Sequence, residues 1–272
     1  MSRVISIMNQ KGGVGKTTTS VNLSSAIATL NKNVILIDLD PQGNATSGLG
    51  VDKKTLDRTI FDALTDESTF LSTLLPTPLE GLRISPSNSD LLAAEFHFST
   101  QEQGKLYLKS ALSRFFWSTS SHEQPDFVFI DCPPSLGQLT INAILASDAI
   151  LIPVQCEYYA LEGLTEIISS ASMIRENFNR CLSLEGILLT MADRRLNLSQ
   201  QVEEDIRNAY GDKVFESVIY RSVRISEAPS HGLPILLYDP NSSGALSYLN
   251  LAKEVIENEK KSAGAWPFRS SC

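Results

Sequence analysis

The chain has 272 residues, 42% apolar and 20% charged, with a net charge of −8. That composition suits one α/β domain or two small ones with ample core, and the acidic balance excludes a generic polyanion binder. No apolar run approaches the roughly 18 residues of a membrane span, no signal peptide is present, and Cys132, Cys156, Cys181 and Cys272 form no C-x-x-C pair, so a cytoplasmic protein with free thiols is expected.

In chain order, Val4 to Met8 is the first predicted strand. The spacing of Val21, Leu23, Ile27 and Leu30 predicts a helix over 17–30. Between them lies Asn9-Gln10-Lys11-Gly12-Gly13-Val14-Gly15-Lys16-Thr17-Thr18. A strand, a glycine-rich loop and a helix in that order is the context of a phosphate-binding loop. Gly12, Gly13 and Gly15 permit backbone angles that let successive N–H groups converge on phosphate oxygens. The positive end of the helix faces the same anion. Lys16 is placed to reach the β- and γ-phosphates, and the Thr17 hydroxyl to ligate Mg²⁺. The spacing G-x-x-x-x-G-K-[ST] is not met, because Gln10 stands where its first glycine belongs.

Asn33 to Leu39 is a second buried strand, followed by a Gly-, Ser- and Asp-rich loop over 41–58. One or two short helices are predicted over 59–75, ended by Pro76 and Pro78, then a short strand over 82–85. Asp90 is a candidate cap for a helix over 91–96, and 105–117 is helical in pattern. A third apolar strand over 127–130 ends at Asp131-Cys132-Pro133-Pro134. Further strands are predicted over 149–154, 184–191, 218–219 and 235–237. Helices are predicted over 140–147, 160–178, 198–210 (ended by Gly211) and 244–257. Strands alternating with helices, without repeats or linkers, predict an α/β fold: one domain over 1–258 with a doubly wound, mostly parallel sheet, and a disordered tail over 259–272.

Ligands of open α/β sheets bind at the carboxyl ends of the strands. Here those ends carry the Lys-Gly-Gly loop, Asp40, Asp131, Gln155-Cys156-Glu157 and Met191-Ala192-Asp193. A lone Asp after a strand is commonly a turn former. Several acids beside a phosphate loop instead match a Mg-nucleotide site.

On these residues the chain resembles the ParA/Soj branch of the deviant Walker A ATPases, the ParA/MinD superfamily of P-loop NTPases. The similarity spans about residues 3–257. It rests on KGGVGKTT (11–18), whose early lysine marks the deviant loop, and on DLDPQGN (38–44), DCPPSLG (131–137), PVQCEYYALEGL (153–164) and RISEAPSHGLP (224–234). The chain begins at the first strand, so the helix-turn-helix extension of the larger plasmid ParA proteins is not expected.

The resemblance implies that ATP is held by Lys11, Gly12, Gly13, Val14, Gly15, Lys16, Thr17 and Thr18, with Asp193 and Pro229 at the adenine. It implies Mg²⁺ on Thr17 directly and on Asp131 through water. It gives catalytic roles to Lys16, to Lys11 acting across a sandwich dimer, and to Asp40, which orients the attacking water. Asp38 is the runner-up, because strand alternation points it with Val34 and Leu36 while Asp40 lies past the strand end. Where the family usually reads Met–aromatic–Asp–x–Arg–Thr, this chain has Met191-Ala192-Asp193-Arg194-Arg195-Leu196, so the base pocket departs from the pattern.

The resemblance further implies an ATP-dependent homodimer that binds nonspecific DNA on the nucleoid through Arg194, Arg195, Arg221 and Arg224, and a ParB-type partner that stimulates hydrolysis. Residues 175–224 hold equal numbers of basic and acidic side chains, so solvated surface arginines are the competing reading of that segment. Two other functions compete. A MinD-like membrane-surface ATPase needs a basic amphipathic C-terminal helix, which Gly264 and Pro267 oppose. A metabolic reductase or synthetase on the same scaffold is the other; its nitrogenase-reductase-like members need cluster-ligating cysteines, and Cys132 has no matching second ligand.

Overall fold

The computed structural model describes residues 2–65, 70–101 and 103–260. Among them, eight strands form one sheet: β1 (Arg3–Ile7), β2 (Val34–Asp38), β3 (Leu75–Pro76), β4 (Leu82–Ser85), β5 (Phe127–Asp131), β6 (Ala149–Gln155), β7 (Ser183–Ala192) and β8 (Val214–Tyr220). β2 and β5 are buried at every position, as parallel strands covered on both faces must be. Their side chains alternate between two cores. Ile35, Ile37, Val128 and Ile130 pack on one face against Leu108, Leu112, Leu139 and Ile167. Val34, Leu36, Phe127 and Phe129 pack on the other against Leu23, Ile27, Tyr248 and Leu251.

The helices on the first face are α3 (Ile60–Thr65), α5 (Leu91–Ser99), α6 (Tyr107–Ser118), α7 (Gln138–Ala146), α8 (Ala160–Phe178) and α9 (Asn197–Tyr210), with the short α4 (Phe70–Thr73) beside them. The second face carries α1 (Lys16–Thr29), α2 (Asn44–Gly48), α10 (Val223–Glu227), α11 (Ile235–Tyr238) and α12 (Ser243–Lys260). The strand order is β3-β4-β2-β5-β1-β6-β7-β8, parallel throughout except for the two-residue edge strand β3, which is antiparallel to β4. β1 lies between β5 and β6, so the chain builds outward from it in both directions. The crevice above such a switch point is where a ligand is expected.

α1 is buried on nearly every side, although it is rich in Ser and Thr. Four of its hydroxyls are satisfied inside the helix: Ser20 donates to Lys16 O, Ser24 to Ser20 O, Ser25 to Val21 O and Thr29 to Ser25 O. Small self-satisfied side chains let α1 sit close to the sheet while keeping its N-terminus aimed into the crevice.

Several local predictions fail. The apolar triplet at 235–237 is helix α11, not a strand, because Pro234 fixes the turn and its carbonyl accepts Tyr238 N at 3.0 Å. The segment 41–58 contains helix α2, and 223–227 forms α10, both missed. Asp90 makes no cap hydrogen bond; its own backbone is already helical. α12 continues to Lys260, two residues into the expected tail; the rest of that tail, residues 261–272, lies outside the described residues.

Candidate active site

The loop after β1 is pinned at both ends. Asn9, buried, donates from Nδ2 to Pro153 O at 2.7 Å and accepts Lys11 N on Oδ1 at 2.9 Å. At the far end Thr190 Oγ1, on β7, donates to Val14 O at 2.8 Å. Gly13 (φ 76°) and Gly15 (φ 91°) take left-handed angles that side chains with a β-carbon strongly disfavour. Gly12 does not, so left-handed backbone accounts for two of the three loop glycines. Gly15 leads directly into α1, whose free N–H groups and dipole point into the loop.

Lys16 is buried, and its Nζ donates to Lys11 O at 2.9 Å. Burial lowers its pKa, while Asp131, Cys132 and Asp40 act in the opposite direction. Asp131 ends β5 fully buried beneath the loop. Ser20 Oγ donates to its Oδ1 at 2.8 Å, the Thr17 hydroxyl also acts on the carboxylate, and Oδ2 has no hydrogen-bond partner. Burial, then repulsion from Asp38, pushes the Asp131 pKa up. A buried, unsatisfied carboxylate oxygen beside a loop threonine fits a divalent cation, which would supply the missing charge. Thr17 and Asp131 are thus the residues able to hold Mg²⁺.

Asp38 and Asp40 divide as strand alternation predicts. Asp38 is fully buried and uses both oxygens: Oδ1 accepts Asp40 N at 3.2 Å, and Oδ2 accepts Thr46 N at 2.8 Å and Thr46 Oγ1 at 2.7 Å. Asp38 therefore holds α2 and the segment carrying Asp40. Asp40 accepts Gln42 N on Oδ1 at 2.9 Å and acts electrostatically on Lys16. It faces the loop with its other oxygen uncommitted among the described residues.

Beside the loop lies a cleft of about 570 Å³, lined by Gly15, Thr18, Thr190, Met191, Pro229 and Tyr248 among others. It adjoins the phosphate loop and has the size of a ligand pocket, so it is the candidate base site. Pro229 lines it. Asp193 is not among the lining residues; Arg195 holds both its oxygens, at 2.9 and 2.6 Å, which keeps its pKa low. Met191, with φ 50°, and Tyr248 of α12 line the cleft instead. Met191 begins the strand-end motif singled out in the sequence, whereas Tyr248, far along the chain on α12, gave no local signal as a base-site residue. A cleft of about 500 Å³ at the opposite end of the strands, lined by Asn33, Arg83 and Phe115, holds none of these groups.

The four arginines gather near the ends of β7 and β8, and each is already engaged. Arg194 stacks 4.2 Å over Tyr220 and Arg195 pairs with Asp193. Arg221 stands 3.7 Å from Glu157, and Arg224 lies 3.2 Å from Glu227 and 3.6 Å from Asp239. Among the described residues no cluster of three or more His, Cys, Asp or Glu side chains is placed to hold a metal, and no helix is long and apolar enough to cross a membrane.

A protein-family profile described as an AAA domain matches residues 2–184. The chain is 49% identical to the sporulation initiation inhibitor protein Soj of Bacillus subtilis over 258 residues, 95% of this chain and 100% of that protein. It is 45% identical to the chromosome partitioning protein ParA of Caulobacter vibrioides, covering 95% of each. Among solved structures, the cobyrinic acid a,c-diamide synthase of Mycobacterium smegmatis with ADP and magnesium is 32% identical, with TM-score 0.82 and 100% of both chains covered. The cell division ATPase MinD of Pyrococcus furiosus is 25% identical, with TM-score 0.76, covering 94% of this chain and 99% of that one. A deviant phosphate loop on β1, paired acids at the ends of β2 and β5, and near-half identity over 95% of the chain lead to one assignment: the chain belongs to the Soj/ParA family of chromosome-partitioning ATPases.

Proposed function

We propose that this protein is an ATP-driven dimerising switch that partitions or positions DNA. With ATP bound, two copies close on each other and bind DNA without sequence preference. A ParB-type partner then stimulates hydrolysis and returns the monomer. Such a cycle belongs in the cytoplasm, on the nucleoid. The observation that carries the reading is the convergence of Lys16, Asp131 and Asp40 under a loop whose second lysine, Lys11, has its side chain 57% exposed rather than folded onto its own phosphate pocket.

In this reading the loop N–H groups, the α1 N-terminus and Lys16 hold the β- and γ-phosphates. Thr17 and Asp131 would hold Mg²⁺, which would supply positive charge to the phosphate oxygens. Asp40 orients a water whose oxygen bonds to the γ-phosphorus as the bond to the β–γ bridging oxygen breaks, releasing ADP and phosphate. Lys11 of each copy reaches the phosphates of the other, adding positive charge where negative charge grows. Arg194, Arg195, Arg221 and Arg224, near the base cleft, supply the DNA contacts.

An electrophoretic shift of random-sequence DNA by the wild-type chain with ATP, ADP or no nucleotide tests the reading, run beside co-sedimentation with anionic liposomes. ATP-dependent DNA retention without liposome binding supports it. ATP-dependent liposome binding without a DNA shift would favour the MinD-like alternative.

A further inference from the structure

Glu157 has no part in the cycle above, yet it touches two of its groups. It follows β6 and precedes α8, at the level of the phosphate loop. Its Oε2 lies 3.2 Å from Lys11 Nζ, and its Oε1 lies 3.7 Å from a guanidinium nitrogen of Arg221. Gln155 Nε2 donates to the same Oε1, and Glu157 N donates to Gln155 O at 2.8 Å. The carboxylate is thereby held between the two cations. Lys11 follows β1 and Arg221 follows β8, so one side chain joins three strand ends across the mouth of the site.

We propose that Glu157 restrains the switch by holding Lys11 on its own subunit and masking the charge of Arg221. The inference rests on the dimerising, DNA-binding reading and deepens it. For Lys11 to reach a phosphate in a second copy, the contact with Oε2 must open. For Arg221 to grip a DNA phosphate, its carboxylate partner must be exchanged for that phosphate. All three side chains are about half exposed, 57% for Lys11, 46% for Glu157 and 55% for Arg221. Pairs this wet shift an equilibrium by up to about fivefold each, so the device is a threshold on ATP and DNA binding rather than a lock. Ion pairing to one acid also explains why a lysine bound for another subunit stays near its own loop until a partner's phosphates outcompete the carboxylate.

Glu157→Gln keeps the size of the side chain and removes its charge. In an Asp40→Ala background, the ATP concentration that half-dimerises the chain is expected to fall about two- to fivefold. DNA affinity of the dimer is expected to rise by a similar factor, and that gain is expected to vanish when Arg221→Ala is added. Glu157→Asp, which keeps the charge, is expected to restore the higher ATP requirement, which a merely structural role for the residue would not produce. An unchanged or raised ATP requirement in Glu157→Gln, where Asp40→Ala alone dimerises normally, overturns the restraint and leaves the reading intact. Failure of Asp40→Ala itself to dimerise with ATP brings down the reading, and the restraint with it.

Discussion

Asp38 and Asp131 stand opposite each other in register at the ends of neighbouring strands β2 and β5, both fully buried. Burial is the main cause that raises both carboxyls, Asp38 to about 6 and Asp131 to about 8, and repulsion between them adds to the shift of Asp131. A carboxyl raised in the folded state contributes stability that is complete below its unfolded value of 3.8 and is lost as pH rises through the folded value. The nucleotide-free chain is therefore expected to lose stability from these two groups as pH rises from 3.8 to about 8, with the Asp38 share lost by about 6 and only Asp131 still titrating above that. Mg-ATP should flatten that slope if Asp131 holds the cation as proposed, because a cation favours the ionised carboxylate. Calorimetry across this range checks both halves. A flat nucleotide-free profile would show that the pair does not titrate as its burial demands.

The two lysines should separate. Lys16 is buried under its own loop, so Lys16→Ala is expected to abolish ATP binding. Lys11 presents an exposed ammonium, so Lys11→Ala is expected to bind ATP as a monomer and neither dimerise nor hydrolyse it. Equilibrium nucleotide binding and light scattering distinguish the two. Normal dimerisation and turnover in Lys11→Ala would remove the trans-lysine role.

Asp38 and Asp40 should separate as well. Asp38→Asn keeps one acceptor oxygen and sets an amide N–H2 group, a donor, against either Asp40 N or the Thr46 N–H and hydroxyl in a dry site, so it is expected to cost about 1–3 kcal/mol of stability. Among the described residues the Asp40 side chain accepts only Gln42 N, so its replacement by alanine is expected to affect the melt less than Asp38→Asn. Single-turnover hydrolysis is expected to fail in Asp40→Ala. Unchanged hydrolysis there would move the water-orienting role to Asp38.

DNA binding is expected to fall steeply with salt, because phosphate contacts release counterions, and to show little sequence preference. Arg221→Glu with Arg224→Glu should lose DNA while retaining the ATP dimer. Since both arginines already face acids, the remaining single charges matter more than the arginine count suggests. Wild-type-like shifts by the double variant, or tight binding without nucleotide, would refute the patch.

Much of this site is legible in the chain because it is built from local patterns. β2 and β5 are unbroken apolar runs ending in Asp38 and Asp131, and the loop residues sit consecutively between a strand and a helix. Alternation along β2 is enough to separate Asp38 from Asp40. What could not be read depends on distant partners. α2 forms inside a Gly- and Ser-rich stretch because buried Asp38 accepts the N–H of Thr46. Ile235-Leu236-Leu237 has the composition of a strand, and a three-residue apolar run carries no period to decide between strand and helix. The base cleft draws Tyr248 from α12, far along the chain, and Glu157 gains its meaning only from Lys11 and Arg221 beside it.

The proposed cycle couples a nucleotide-driven monomer–dimer switch to DNA binding. Size-exclusion chromatography with light scattering on Asp40→Ala, without nucleotide, with ATP, and with ATP followed by DNA, tests it most directly. We expect a monomer without nucleotide, a long-lived dimer with ATP because the chemical step is removed while phosphate contacts remain, and co-elution of that dimer with DNA. A chain that stays monomeric with ATP bound, or that co-elutes with DNA equally well without ATP, would contradict it.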